Sequence, residues 1–129
     1  MKNIAIIDYG AGNIKSIQFA LQRLGYEAVL TQNANEIQNA ACVIFPGVGE
    51  ASSAMTKLRS SGLDTVIPKL LQPVLGICLG MQLMCTASEE GNTKGLGIFD
   101  VEVTKFPISV KVPQIGWNTI ENLKGPLFT

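Results

Sequence analysis

Cys78 stands between Gly76 and Gly80 in the stretch "VLGICLGMQLM" (74–84), where an apolar run turns into a helical pattern. The G-x-C-x-G spacing is that of a strand–turn–helix elbow, which holds a nucleophile at the top of a strand in a strained backbone conformation. Side chains two residues to either side would collide there, so glycines flank it. Backbone amides of the first helical turn would then point at the sulfur and stabilise thiolate over thiol. A small buried cysteine beside two incidental glycines has the same letters, and they leave both readings open. A nucleophile attacking a carbonyl also needs donors for the developing oxyanion. "FPGVG" (45–49) can supply them, because its glycines let backbone amides turn outward. Read by itself, Pro-Gly there only turns the chain. Cys42, inside an apolar strand, and Cys85, a heptad beyond Cys78, read as structural. The chain contains no histidine, which removes imidazole ligation and histidine general-base chemistry from these 129 residues.

The elements that would position these groups follow from periodicity. "NIAIID" (3–8) is a β-branched apolar run that reads as a buried strand. Asn13 can cap the next helix. Ile14, Ile17, Leu21 and Leu24 mark that helix's inner face, and Gly25 stands where a helix C-terminal glycine belongs. "EAVLT" (27–31) is a second strand, followed by a short helix around 36–39. "ACVIF" (41–45) is the third strand. A helix over 52–59 turns Met55 and Leu58 inward and ends before Gly62, and Asp64 caps another reaching Leu71. "PVLGI" (73–77) is the fourth strand, and Leu79–Ala87 continues as a helix. Strands alternating with helices predict a parallel α/β sheet covered on both faces. In such a sheet the loops after strands three and four open on one edge, where ligands bind. Beyond Gly95, "IFDVEVTKF" (98–106) alternates as a strand with one solvated face, and "GWNTI" (116–120) is its expected antiparallel partner.

Composition narrows the function classes. With 47% apolar and 16% charged residues, the chain is an ordered domain that buries roughly two-thirds of its unfolded surface. Ten basic and ten acidic residues cancel, which gives no field for nucleic acid or an anionic membrane. The apolar runs are far shorter than a membrane span, and "MKNIAIIDYG" has no secretory layout. Three cysteines at irregular spacing fit reduced thiols, so a cytoplasmic location is expected. "GAGN" is not a dinucleotide fingerprint, because Lys15 occupies the position of its third glycine. No cofactor and no metal are expected.

"GICLGMQ" with an upstream "PGVG" resembles the class I (triad) glutamine amidotransferases. "DYGAGN", "FPGVGEASSAM" and "VPQIGWN" resemble the branch that serves imidazole glycerol phosphate synthase in histidine biosynthesis, and the resemblance runs from Lys2 to Thr129. It implies a three-layer, flavodoxin-like α/β fold with a mainly parallel sheet. It also implies one domain over 1–129, the N-terminal portion of a type 1 amidotransferase domain whose C-terminal part is missing here. By the same resemblance Cys78 attacks the glutamine carboxamide, and the amide of Leu79 with one from Gly47-Val48 forms the oxyanion hole. Gln82 and Glu90 hold the α-amino and α-carboxylate ends of glutamine; Gln82 also lies four residues along, above Cys78 on the helix face. Glu90 read alone is a solvated charge. The ammonia would pass to a (β/α)₈-barrel cyclase subunit that makes imidazole glycerol phosphate and AICAR, the two subunits forming a heterodimeric lyase. Tyr9, Asn13, Trp117 and Asn118 would face that subunit, although Trp117 reads equally as a core aromatic.

The chain departs from the family pattern twice. The family's His-x-Glu pair belongs to a segment beyond residue 129, and Gln114 replaces the usual histidine of "P-H-x-G-W-N". The literal polypeptide is therefore expected to be inactive. The second reading is a truncated or degenerate module that docks the synthase subunit without catalysis. A third, a dienelactone-hydrolase-like cysteine-elbow enzyme, is disfavoured by "GMQ" and "IGWN".

Overall fold

The computed structural model describes residues 3–128. Four parallel strands, β1 (Ile4–Ile7), β2 (Ala28–Thr31), β3 (Cys42–Phe45) and β4 (Val74–Gly76), form a sheet in the order β2-β1-β3-β4. Each lies where a short apolar run predicted it. Side chains alternate across such a sheet. Ala5, Ile7, Val43 and Phe45 point into the main core with Met55, Leu58, Leu63, Ile67, Leu79 and Leu83. On the opposite face Leu30, Ile6, Ile44 and Leu75 are register neighbours in one row. The central pair is buried, while Leu30 and Leu75 are 39% and 40% exposed.

Helix α1 (Ile14–Arg23) connects β1 to β2 and has no fully buried residue. It ends as expected: Gly25 takes φ 81°, Tyr26 N donates to Leu21 O at 2.9 Å and Gly25 N to Gln22 O at 2.9 Å. That pair of bonds is the Schellman closure, and glycine at its left-handed position avoids a Cβ clash. Asn13 does precede the helix, but its side chain makes no capping bond. Helix α2 (Ala34–Asn39) is capped by Asn33, which accepts from Asn35 N and Glu36 N. Helix α3 (Ala51–Ser60) buries Ala51, Ala54, Met55 and Leu58.

Three expectations give way. The predicted helix from Asp64 to Leu71 is instead two 3₁₀ turns, Leu63–Thr65 and Ile67–Lys69. Pro68 lacks the N–H that a continuous helix would need there, and its ring would meet the carbonyl of Asp64. The predicted helix Leu79–Ala87 stops early: α4 spans Leu79–Leu83, and Cys85–Ser88 is a strand, β5. The carbonyls that would continue α4 are taken by the returning chain. Leu96 N donates to Leu83 O at 2.8 Å, and Ile98 N and Phe99 N donate to Met84 O. Gly95 makes this return possible, because a Cβ there would lie 2.1 Å from Cys85 O. Strand β5 pairs antiparallel with β6 (Thr93–Lys94) and parallel with β7 (Phe99–Val103), forming a second sheet. The alternating 98–106 segment is thus a strand, but 116–120 is not its partner. No strand forms at 116–120, and residues 104–128 are exposed throughout.

Gly80 carries the first testable consequence. A Cβ on it would fall 2.0 Å from Phe45 O and 2.9 Å from Pro46 O, both rigid backbone atoms. Gly80→Ala is expected to destabilise the fold by about 3 kcal/mol or more, as overpacking at its upper range does. Chemical denaturation checks this, whereas Gly97→Ala tests only the cost of a positive φ, since no atom lies within 4 Å of a Cβ there.

Candidate active site

Cys78 has φ 54° and ψ −120°, a conformation that non-glycine residues rarely adopt and that costs about 1–3 kcal/mol. Its neighbours impose it. Ile77 N donates to Phe45 O at 3.0 Å, which continues the β3–β4 ladder up to the residue before the cysteine. Immediately afterwards Gln82 N donates to Cys78 O at 3.2 Å, so the cysteine carbonyl already belongs to α4. The chain must pass from strand to helix within one residue. Gly76 allows this because a Cβ there would meet Met81 Cα at 2.7 Å and Met84 Sδ at 2.8 Å. The two glycines around Cys78 are therefore required by contact. Cys78 is exposed, Cys42 is half-buried, and Cys85 is buried with Sγ 3.8 Å from Met81 O.

The loop after β3 lies against the same turn. A Cβ on Gly47 would come 2.5 Å from Gly80 N, 2.8 Å from the Tyr9 hydroxyl and 2.9 Å from Leu79 Cβ. Pro46 and Gly47 are buried, while Val48 opens outward at 51% exposure. Among the described residues, the loop amides of Gly47 and Val48 donate to no protein acceptor. The expected donors Gly47, Val48 and Leu79 are thus neighbours at the elbow.

Gln82 and Glu90 meet in one cleft of about 340 Å³, with Ser88, Val103, Thr104, Lys105, Phe106 and Val112 on its walls. Gln82 lies one helical turn beyond Cys78. Nothing in the local sequence announces Ser88 and Val103, because the parallel β5–β7 register is what sets them side by side. Glu90 is not merely a solvated charge. Its Oε2 accepts from Ala51 N at 2.9 Å, while Glu50 accepts from Ser52 N and Ser53 N. Two carboxylates therefore share the orphan amides of α3, an arrangement the helix dipole favours. The Ser53 amide foremost, then the Ser52 hydroxyl and amide, holds the Glu50 carboxyl below its usual pKa of 4.5. Its cap is therefore complete above that pH and fades as the pH falls below it. Glutamate is not among the favoured N-cap residues, so this role was not legible.

Of the four residues expected to face a partner, Asn13, Trp117 and Asn118 are exposed, Trp117 fully. Among the described residues, Trp117 packs into no core. Tyr9 requires a correction: it is only 5% exposed, and its hydroxyl donates to Pro46 O at 2.8 Å. The end of β1 carries it inward, on the same face as Ile7 and Phe45.

A strained cysteine elbow, a glycine loop at its side and a parallel sheet flanked by helices make this an α/β domain with an exposed cysteine at a strand–helix turn. The model for "Glutamine amidotransferase class-I" matches residues 5–124, and the chain belongs to that family. A curated relative from Bacteroides fragilis (strain YCH46), "Imidazole glycerol phosphate synthase subunit HisH", is 56% identical over 97% of this chain and 65% of its own. Proteins of the same name from Dehalococcoides mccartyi (strain CBDB1) and Haemophilus influenzae (strain 86-028NP) are 47% and 46% identical. The chain covers 63% and 65% of those two, so it spans a little under two-thirds of the length of these relatives. A solved "Crystal structure of glutamine amidotransferase" superposes with a TM-score of 0.69 at 20% identity, covering 84% of this chain and 59% of that one, which supports the fold.

Proposed function

We propose that the native-length protein is the glutaminase subunit of an imidazole glycerol phosphate synthase, with residues 1–129 as the N-terminal part of its amidotransferase domain. The observation that carries the reading is the exposed, strained Cys78 at φ 54°. Its sulfur adds to the carboxamide carbon of glutamine. The resulting oxyanion is met by the Leu79 amide and one from Gly47-Val48, and collapse expels ammonia and leaves a glutamyl thioester. Water then cleaves the thioester to glutamate and returns the thiol. Proton transfer to the departing ammonia needs an acid–base pair, for which the family's His-x-Glu is the natural source. Gln82 and Glu90 hold the amino-acid end of the substrate in the cleft between them. The ammonia passes to a (β/α)₈-barrel cyclase subunit in a cytoplasmic heterodimer, docked at a surface that includes Asn13, Trp117 and Asn118.

The absence of histidine favours a second reading for the 129-residue polypeptide itself, a docking module without turnover. Glutamate release by native-length protein, measured with and without the barrel subunit, tests the first reading. Activity that rises on adding the subunit supports it, and no release in either case contradicts it. Within this reading Glu90→Gln separates two duties. The amide oxygen still accepts from Ala51 N, so the melting temperature changes little. Loss of the charge facing the substrate ammonium raises KM for glutamine by roughly 10- to 100-fold, the scale of one charge-assisted hydrogen bond. Glu90→Ala adds a stability loss of about 1 kcal/mol from the uncapped helix.

A further inference from the structure

Tyr9 is buried at the end of β1, yet its polar atom is aimed at the loop beside the nucleophile. The hydroxyl donates to Pro46 O at 2.8 Å, and a Cβ on Gly47 would lie 2.8 Å from the Tyr9 hydroxyl oxygen. The ring packs on Phe45, with centroids 5.5 Å apart and planes at 60°. A Cβ on Gly12 would come 2.9 Å from Pro46 Cβ, so the loop before α1 also lies against Pro46. The Pro46–Gly47 peptide is planar and trans, so its C=O and N–H point in opposite directions. A hydroxyl that fixes the carbonyl inward therefore fixes the Gly47 N–H outward.

We infer that Tyr9 is a positioning residue that sets the Pro46–Gly47 peptide plane, and through it the amides that receive the oxyanion. This rests on the glutaminase reading above. Burial first, and the neighbouring Cys78 second, push the Tyr9 pKa up to about 12, so the hydroxyl remains a donor throughout any working pH range. Phenylalanine would keep the ring against Phe45 and release the carbonyl. A peptide free to rotate loses donor alignment that matters when charge develops and matters little for holding ground-state glutamine.

The test uses native-length protein in complex with its barrel subunit. Tyr9→Phe should lower kcat for glutamine hydrolysis by roughly 10- to 100-fold, the range expected when a catalytic group is misplaced by about an ångström. KM should stay within about twofold, and so should the rate of Cys78 alkylation by iodoacetamide, which needs no oxyanion donor. The melting temperature of Tyr9→Phe, read alongside, should stay within a few degrees of the wild type, since the ring is kept on Phe45. Unchanged kcat overturns the inference, as does a joint change of kcat, KM, alkylation rate and melting temperature, which marks general loosening. Wild-type protein that releases no ammonia overturns the parent reading, and this inference with it.

Discussion

Cys78→Ala in the native-length protein is expected to lower glutamine turnover by roughly 10⁴- to 10⁶-fold, as loss of a nucleophile from a catalytic unit does. Cys78→Ser should fall nearly as far, because a hydroxyl at that position is a weaker nucleophile than the thiol. The same position carries an expectation about stability that a binding role would not share. At φ 54° and ψ −120° any L side chain is strained. Cys78→Gly should therefore be at least as stable as the wild type while having no activity, since glycine adopts that region freely. Thermal melts alongside the turnover assay check both halves. A Cys78→Gly variant that melts well below the wild type would mean that the side chain packs rather than reacts.

A polypeptide of these 129 residues alone is expected to hydrolyse glutamine at no enzymatic rate, even with a barrel subunit present. The proposed nucleophile Cys78 and the proposed amide donors are present, and there is no histidine to move the proton. A positioned acid–base contributes typically 10²–10⁴-fold, and members of one catalytic unit fail together more than additively. Extending the chain with the family's His-x-Glu segment should restore turnover by at least about that factor. Ammonia release by the short and extended forms at equal rates would show that the base comes from elsewhere.

The parallel sheet and the elbow were legible because both depend on local letters. Apolar runs of strand length marked β1 to β4, and glycines two residues either side of Cys78 marked the turn. What was not legible depends on partners distant in sequence. Nothing in "LMCTAS" says that α4 must stop at Leu83; the carbonyls there are claimed by residues 96–99, brought back through Gly95. Tyr9 was placed toward a partner subunit through resemblance, and only the register of β1 against β3 shows its hydroxyl meeting Pro46. Glu90 was assigned through resemblance, while its bond to Ala51 N spans 39 residues and has no local signature. The alternation of 98–106 identified a strand but not its neighbour, since alternation reports exposure and says nothing about pairing.

The claim that Cys78 is the glutamine-directed nucleophile is tested most directly by covalent labelling of native-length protein. The probe is a glutamine analogue with an electrophilic carbon in place of the carboxamide, and peptide mass mapping reads the site. The account predicts a single adduct on Cys78, suppressed by excess glutamine, with Cys42 and Cys85 unlabelled in the folded protein. Labelling spread over the three cysteines, or an adduct on Cys78 that glutamine does not suppress, would contradict it.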